Sequence, residues 1–230
     1  MEPTIDALHA SMEQAQFGKV LLLSHGPPPE SVSAGITWRP IAPLQSRTDY
    51  SRFMLRDLAD HIDTDHALCI QWDGFVLNGG AWEPRFLDYD YIGAVWPQFK
   101  DGHNVGNGGF SLRSRRLLRK CRDLPFDGSE AEDVCICRVS RALLEREGMR
   151  FAPEAVARRF SFERESPTGR EFGFHGAFNL VRLVSPRDAN RLFKSLERGM
   201  LTRSERLELL WWALRHRRGR LSLSMLKRLI

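Results

Sequence analysis

An α/β fold is what this sequence predicts: a mixed, mostly parallel sheet flanked by helices, followed by a basic helical extension. Three observations point there. Segments with apolar residues at helical spacing alternate with short apolar runs; those runs stop at glycine, proline or acidic residues; and the pattern after Pro186 is helical almost without interruption. The division expected is a domain over residues 1–186 and an extension over 187–230.

The elements follow in order. Asp6 to Gln16 is spaced as a helix, and Lys19-Val20-Leu21-Leu22-Leu23-Ser24 reads as an apolar strand stopped by "HGPPPE". After a proline- and serine-rich loop comes a helix from about Tyr50 to His61, then a strand from His66 to Gln71. Strands that follow helices in this way suit a parallel sheet. "GNGGFSLRS" leads through a strand edge into a helix near Ser114 to Cys121, and Glu132 to Glu147 reads as one helix closed by Gly148. "MRFAPEAVARRFSFE" looks like a late strand and its connection. The last 28 residues hold eight arginines or lysines against two glutamates, around "LLWWALRHRRGRLSLSMLKRLI".

Composition sets limits on function. With 230 residues, 42% of them hydrophobic and 27% charged, the chain can bury a sizeable core, and global disorder is excluded. A net charge of +5 suits phosphate-bearing partners, but its concentration in the tail and the absence of an RNP-like pattern argue against nucleic acid. Cys69, Cys121, Cys135 and Cys137 form no CxxC pair and read as reduced structural thiols, which points to the cytoplasm. "MEPTIDALHASMEQ" lacks the pattern of a signal peptide, and no 18-residue apolar run occurs, so no span is expected.

Ligands of open α/β sheets bind at the carboxyl ends of strands, so residues just beyond each apolar run carry the functional interest. Asp73 stands there, after "ALCIQW" and before Gly74. It either starts a turn or holds a divalent cation, which prefers oxygen ligands. Asp63-Thr64-Asp65 has the DxD form of a metal site but precedes its strand, so Asp73 is preferred. Four further features complete the set. Gly106-Asn107-Gly108-Gly109 permits close approach to backbone N–H groups, without the lysine of a P-loop. Glu132 and Asp133 open a helical pattern, as caps or as a general base. His175, between Gly173-Phe174 and Gly176, suits metal coordination or packing. Trp72, Tyr89, Tyr91, Trp96 and Phe174 can stack on a base or sugar, or fill the core.

"IQWDGFVLN", "FLDYDYIGAVW", "VGNGGFSLRSRRLL", "EDVCICR" and "FGFHGAFN", in this order over residues 20 to 185, resemble a bacterial domain family of unknown function found in candidate glycosyltransferases, which in turn resembles the GT-A (Rossmann-like) glycosyltransferases. The resemblance implies a site. Asp73 matches the last acid of the metal-binding DxD motif, with Gln71 in place of the first, and His175 matches the histidine that completes the metal site for Mn²⁺ or Mg²⁺. Gln71, Trp72, Asp73, Gly108 and Gly109 would contact the donor, and Asn107, Phe110 and Phe174 the acceptor. Asp133 resembles the catalytic base of inverting enzymes, with Glu132 in reserve. GT-A domains usually begin with a strand, whereas this chain enters a helix at once, so that strand is expected to be missing.

The expectation is a cytoplasmic glycosyltransferase moving a sugar from a nucleotide sugar, UDP-linked by preference, to a bacterial surface glycan or lipid-linked precursor. Its rivals are a nucleotide-sugar-binding or scaffold domain without catalysis, and a sugar nucleotidyltransferase. The basic helix with Trp211 and Trp212 packs on the domain, meets a second copy in a homo-oligomer, or lies on a membrane surface.

Overall fold

The computed structural model describes residues 1–230 apart from 31–33, 198 and 230. It divides into two compact units, Met1–His175 and Gly176–Ile230. The first is mixed α/β, but its sheets are short and the one that carries the site is antiparallel.

Helix α1 (Glu2–Gln14) buries Ile5, Leu8 and Ser11 and leads to β1 (Leu21–Ser24). β1 pairs in parallel with β2 (Thr37–Pro40), a strand hidden from sequence reading within the proline- and serine-rich loop. Ser46 caps α2 (Arg47–Arg56) by accepting from the Asp49 N–H, and α3 (Leu58–His61) follows. β3 (His66–Ile70) then enters a three-stranded sheet in the order β3-β7-β4, made with β4 (Tyr91–Ile92) and β7 (Phe110–Ser114). Both pairings of β7 are antiparallel, which corrects the expected parallel sheet. β7 is also central rather than an edge, with all five residues buried, and Phe110 and Leu112 fix its inward face. β5 (Ala94–Val95) and β6 (Val105–Gly106) form a small antiparallel pair.

No backbone pairing joins β1 to β3 among the described residues. An apolar cavity of about 310 Å³ is lined by both strands, with Leu8 of α1 and Phe53 of α2 among its walls.

α4 (Arg115–Cys121) starts at Ser114, whose hydroxyl accepts from the Leu117 N–H. The helix expected from Glu132 to Glu147 is instead three pieces: α5 (Glu132–Val134), a π-helical turn over Cys135–Val139, and α6 (Arg141–Arg146). The wide turn closes through the Ser140 N–H on the Cys135 carbonyl, 2.8 Å. The strand expected in "MRFAPEAVARRFSFE" is mostly helix, α7 (Glu154–Phe160), because Pro153 stands at the N-cap and Val156, Ala157 and Phe160 are buried on one face. The strand β8 is only Ser161–Phe162, paired in parallel with β9 (Gly173–Phe174).

The aromatic core explains much of this spacing. Phe110, Phe160 and Phe172 are essentially solvent-free and lie with ring centroids 5.2–6.1 Å apart, with Phe86 against Phe160 at 5.3 Å. Asp90, in "DYDYIGA", is a structural hub: it accepts from Ser114 Oγ at 2.5 Å, Arg116 Nε at 3.1 Å and the Arg150 N–H at 2.8 Å. The four cysteines form no disulfide.

The second unit contains α8 (Ala177–Leu183), α9 (Pro186–Ser195), α10 (Arg203–Arg215) and α11 (Gly219–Leu229). Gly199, at φ +107°, and the Thr202–Glu205 capping box separate α9 from α10. No helix among the described residues is long and apolar enough to cross a membrane.

Candidate functional site

The carboxyl ends of β3, β8 and β9 meet at one place. β3 ends where the Gln71 N–H donates to the Gly109 carbonyl at 2.9 Å, and the chain then turns, with the Gly74 N–H on the Gln71 carbonyl at 3.1 Å. β9 runs beside that turn, bridged to Val76 at Gly173, and its last residues carry His175 to Asp73. Glu163 follows β8 directly and reaches the same imidazole.

His175 is therefore held from several sides. Its Nε2 lies 3.3 Å from Asp73 Oδ1 and 3.3 Å from Gln71 Oε1. Its Nδ1 lies 3.3 Å from Glu163 Oε1 and 3.2 Å from Asn107 Nδ2. Burial alone would push the imidazole pKa down, but the carboxylates of Asp73 and Glu163 outweigh it and raise the value from 6.5 to about 10. Protonated, the ring points one N–H at each carboxylate. The neutral ring has two tautomers: with Nδ1 accepting from Asn107 the proton stays on Nε2 toward Asp73 and Gln71, and with Nδ1–H donating to Glu163 the Nε2 lone pair faces them.

Backbone geometry makes room for this ring. A side chain at Gly109 would overlap the His175 imidazole, and one at Gly74 would meet the Phe174 carbonyl at 2.8 Å. Asn107, at φ +80°, braces the glycine loop through its Oδ1, which accepts from the N–H groups of Gly109 at 2.9 Å and Phe110 at 3.2 Å. From α2, Tyr50 accepts a 2.8 Å hydrogen bond from Gln71 Nε2, which fixes the amide with its oxygen toward His175.

Glu132 and Asp133 flank the other side of the loop and divide its work. Asp133 is half-buried; its Oδ2 accepts from the Gly108 N–H at 2.9 Å and its Oδ1 from the Val134 N–H at 2.8 Å. Glu132 is 3% exposed and pairs at 3.1 Å with Arg113, itself solvent-free. Burial raises the Glu132 carboxyl above its ordinary range, Arg113 opposes this, and Asp133 adds to it. The same Glu132 carboxylate would collide with any side chain at Gly108.

The structure thus brings together Gln71, Asp73, Asn107, Gly108, Gly109, Asp133 and His175. It sets apart others. Phe110 and Phe174 have no exposed surface and fill the core, Phe174 packing edge-on against Phe75 at 4.8 Å, so neither contacts an acceptor. Tyr91 and Trp96 are buried as well, while Trp72 and Tyr89 keep partial exposure. Asp63 is paired with Lys19 at 2.8 Å at the amino end of β3, away from the cluster, as its position before the strand predicts. Glu163 and Tyr50 escaped sequence reading. Glu163 obeys the same strand-end rule as Asp73, but its strand is two residues long and closes a segment that reads as a late strand and its connection.

Asp73, Gln71 and His175 offer atoms of the kinds that ligate divalent cations, and His175 would have to give up its Nε2 proton to do so. Asp73 Oδ1 is buried with His175 Nε2 as its partner at 3.3 Å, and it stands near Gln71 Oε1 while Glu163 backs the opposite ring nitrogen. Among the described residues no group of three or more histidine, cysteine or acidic side chains is placed to hold a metal ion, so a cation here would rely on the Gln71 amide as its third ligand.

Fold and cluster define a mixed α/β domain with a polar strand-end site beside a glycine loop. Residues 36–175, well over half the chain, match the family model described as "Protein of unknown function (DUF5672)", and the chain belongs to that family. No curated protein matches it.

Proposed function

We propose that the chain is a GT-A-like glycosyltransferase that takes a nucleotide sugar, by preference a UDP-sugar, and transfers the sugar to a hydroxyl of a surface glycan or lipid-linked precursor in a bacterial cytoplasm. One observation carries the reading: Asp73, Gln71 and His175 converge at the carboxyl end of β3, against a glycine loop whose far side is held by Asp133. The five motifs named above supply the remaining support, since four of them contribute residues to this cluster.

Asp73 Oδ1, His175 Nε2 and Gln71 Oε1 would hold the divalent cation, with Glu163 fixing the His175 ring through Nδ1. Bound there, Mn²⁺ or Mg²⁺ supplies positive charge for the leaving diphosphate. Gly108 and Gly109 let donor atoms approach the backbone. Asp133 accepts the proton of the acceptor hydroxyl as it attacks the anomeric carbon, and attack opposite the leaving group inverts that centre. Two backbone hydrogen bonds aim the Asp133 carboxylate and leave lone pairs for this task. Glu132, buried against Arg113, holds the loop in place instead of exchanging protons with substrate.

A second reading, a nucleotide-sugar-binding domain without catalysis, is favoured by Gln71 standing where an acidic ligand is expected. Donor turnover by the wild type and by Asp133→Asn separates the two. Transfer or hydrolysis lost in the variant, with donor binding kept, supports the enzyme. Binding without turnover in either protein supports the binding domain, and equal turnover in both removes Asp133 as the base.

A further inference from the structure

Helices α10 and α11 carry more apolar side chains than their packing uses. Leu209 and Ala213 of α10, and Leu221 and Met225 of α11, are buried at a spacing of four and seat the two helices. A second apolar stripe runs along α10 at i, i+4 and i+7: Leu207, Trp211 and Leu214, exposed by 50%, 61% and 57%. On α11, Leu223 and Leu226 are likewise exposed.

Among the described exposed charged residues of α10, α11 and the turn between them, basic ones predominate, with Glu208 as the exposed acid. Arg203, Arg215, Arg217 and Arg220 are exposed, and the Arg215 guanidinium lies 5.2 Å over the Trp211 ring. Residues 176–230 hold thirteen arginines and lysines against four acids, a net of +9 in a chain whose total is +5, which leaves −4 on Met1–His175.

We propose that the Leu207–Trp211–Leu214 stripe, with Leu223 and Leu226, docks on the surface of a membrane rich in anionic phospholipid. The apolar side chains enter the boundary between headgroups and acyl chains, tryptophan is at home at that level, and the arginines extend their heads to lipid phosphates. Charge selects this occupant. A second copy meeting the same stripe would set two surfaces of like sign together, whereas anionic headgroups complement both the charge and the apolar face. The helices lie on such a surface and do not cross it. The proposal is independent of the glycosyltransferase reading.

The test is co-sedimentation of the full chain with vesicles of phosphatidylcholine alone or mixed with phosphatidylglycerol, at low and high NaCl. Pelleting with the mixed vesicles, weakened by salt and nearly absent with phosphatidylcholine alone, is expected. Leu207→Ser/Trp211→Ser/Leu214→Ser should weaken binding at least about tenfold while keeping wild-type helicity, and Arg215→Gln and Arg217→Gln should each cost about fivefold. Equal pelleting with both vesicle types, none with either, or wild-type binding by the triple variant overturns the proposal. So does a triple variant that unfolds, since the stripe would then be a packing face, or a salt-stable dimer that this variant dissociates.

Discussion

His175 offers the sharpest test of the cluster, because its charge state is tied to two named carboxylates. Its folded pKa of about 10 lies above the unfolded value of 6.5, so the folded protein holds a proton that the unfolded chain releases between these limits. The resulting stabilisation is fully present below pH 6.5 and is lost as pH rises toward about 10. At about 1.4 kcal/mol for each pH unit, the ceiling is about 5 kcal/mol, and a side chain 15% exposed next to two carboxylates should retain roughly half of that. Glu163→Gln removes one partner and leaves Asp73. Urea unfolding of wild type and variant, from below pH 6.5 to about pH 10, should give a wild-type loss of about 2–3 kcal/mol from this site and about half that in Glu163→Gln. His175→Gln should abolish the component altogether. An identical pH slope in all three proteins would refute the pairing of His175 with Asp73 and Glu163.

Other outcomes follow from the same geometry. Arg113→Met strands the Glu132 carboxylate in the core and should cost about 3–5 kcal/mol by chemical denaturation, much of it regained on adding Glu132→Gln. Gly109→Ala drives a methyl into the His175 ring and should destabilise by about 1–3 kcal/mol in chemical denaturation. Under the proposed function, Asp133→Asn should lower transfer by about 10²- to 10⁴-fold with little change in donor affinity, measured by turnover and by calorimetry. Because a cation at Nε2 must displace a proton, Mn²⁺ affinity should climb by up to about tenfold per pH unit below pH 10, a trend that His175→Gln removes.

Much of the site is legible in sequence because strand-end position is a local property. "ALCIQWDGF" places Asp73 beyond an apolar run, and the structure puts β3 and its turn there. Asp63 and Asp65 have the better local pattern, yet they precede β3 and lie at its other end. The pairing of strands was less legible. Short strands of two residues, as in β8 and β9, carry almost no periodic signal, and β7 alternates in a way that fits a half-exposed strand although both its faces are covered. Phe110 and Phe174 show the limit for aromatic residues: proximity to a glycine loop says nothing about which side of the backbone the ring takes. Here both rings turn into the core, and small polar groups line the site. Glu163 and Tyr50 depend on long-range packing, 12 and 21 residues from His175 and Gln71, and no local rule pairs them.

The central claim is that the Asp73–His175 cluster receives a nucleotide sugar together with a divalent cation. Thermal unfolding of the wild type and of Asp73→Asn, with UDP-sugars in the presence and absence of Mn²⁺, tests it most directly. Stabilisation of the wild type by a UDP-sugar only when Mn²⁺ is present, and its loss in Asp73→Asn, is the predicted result. No response to any nucleotide sugar, or an equal response in Asp73→Asn, would contradict it.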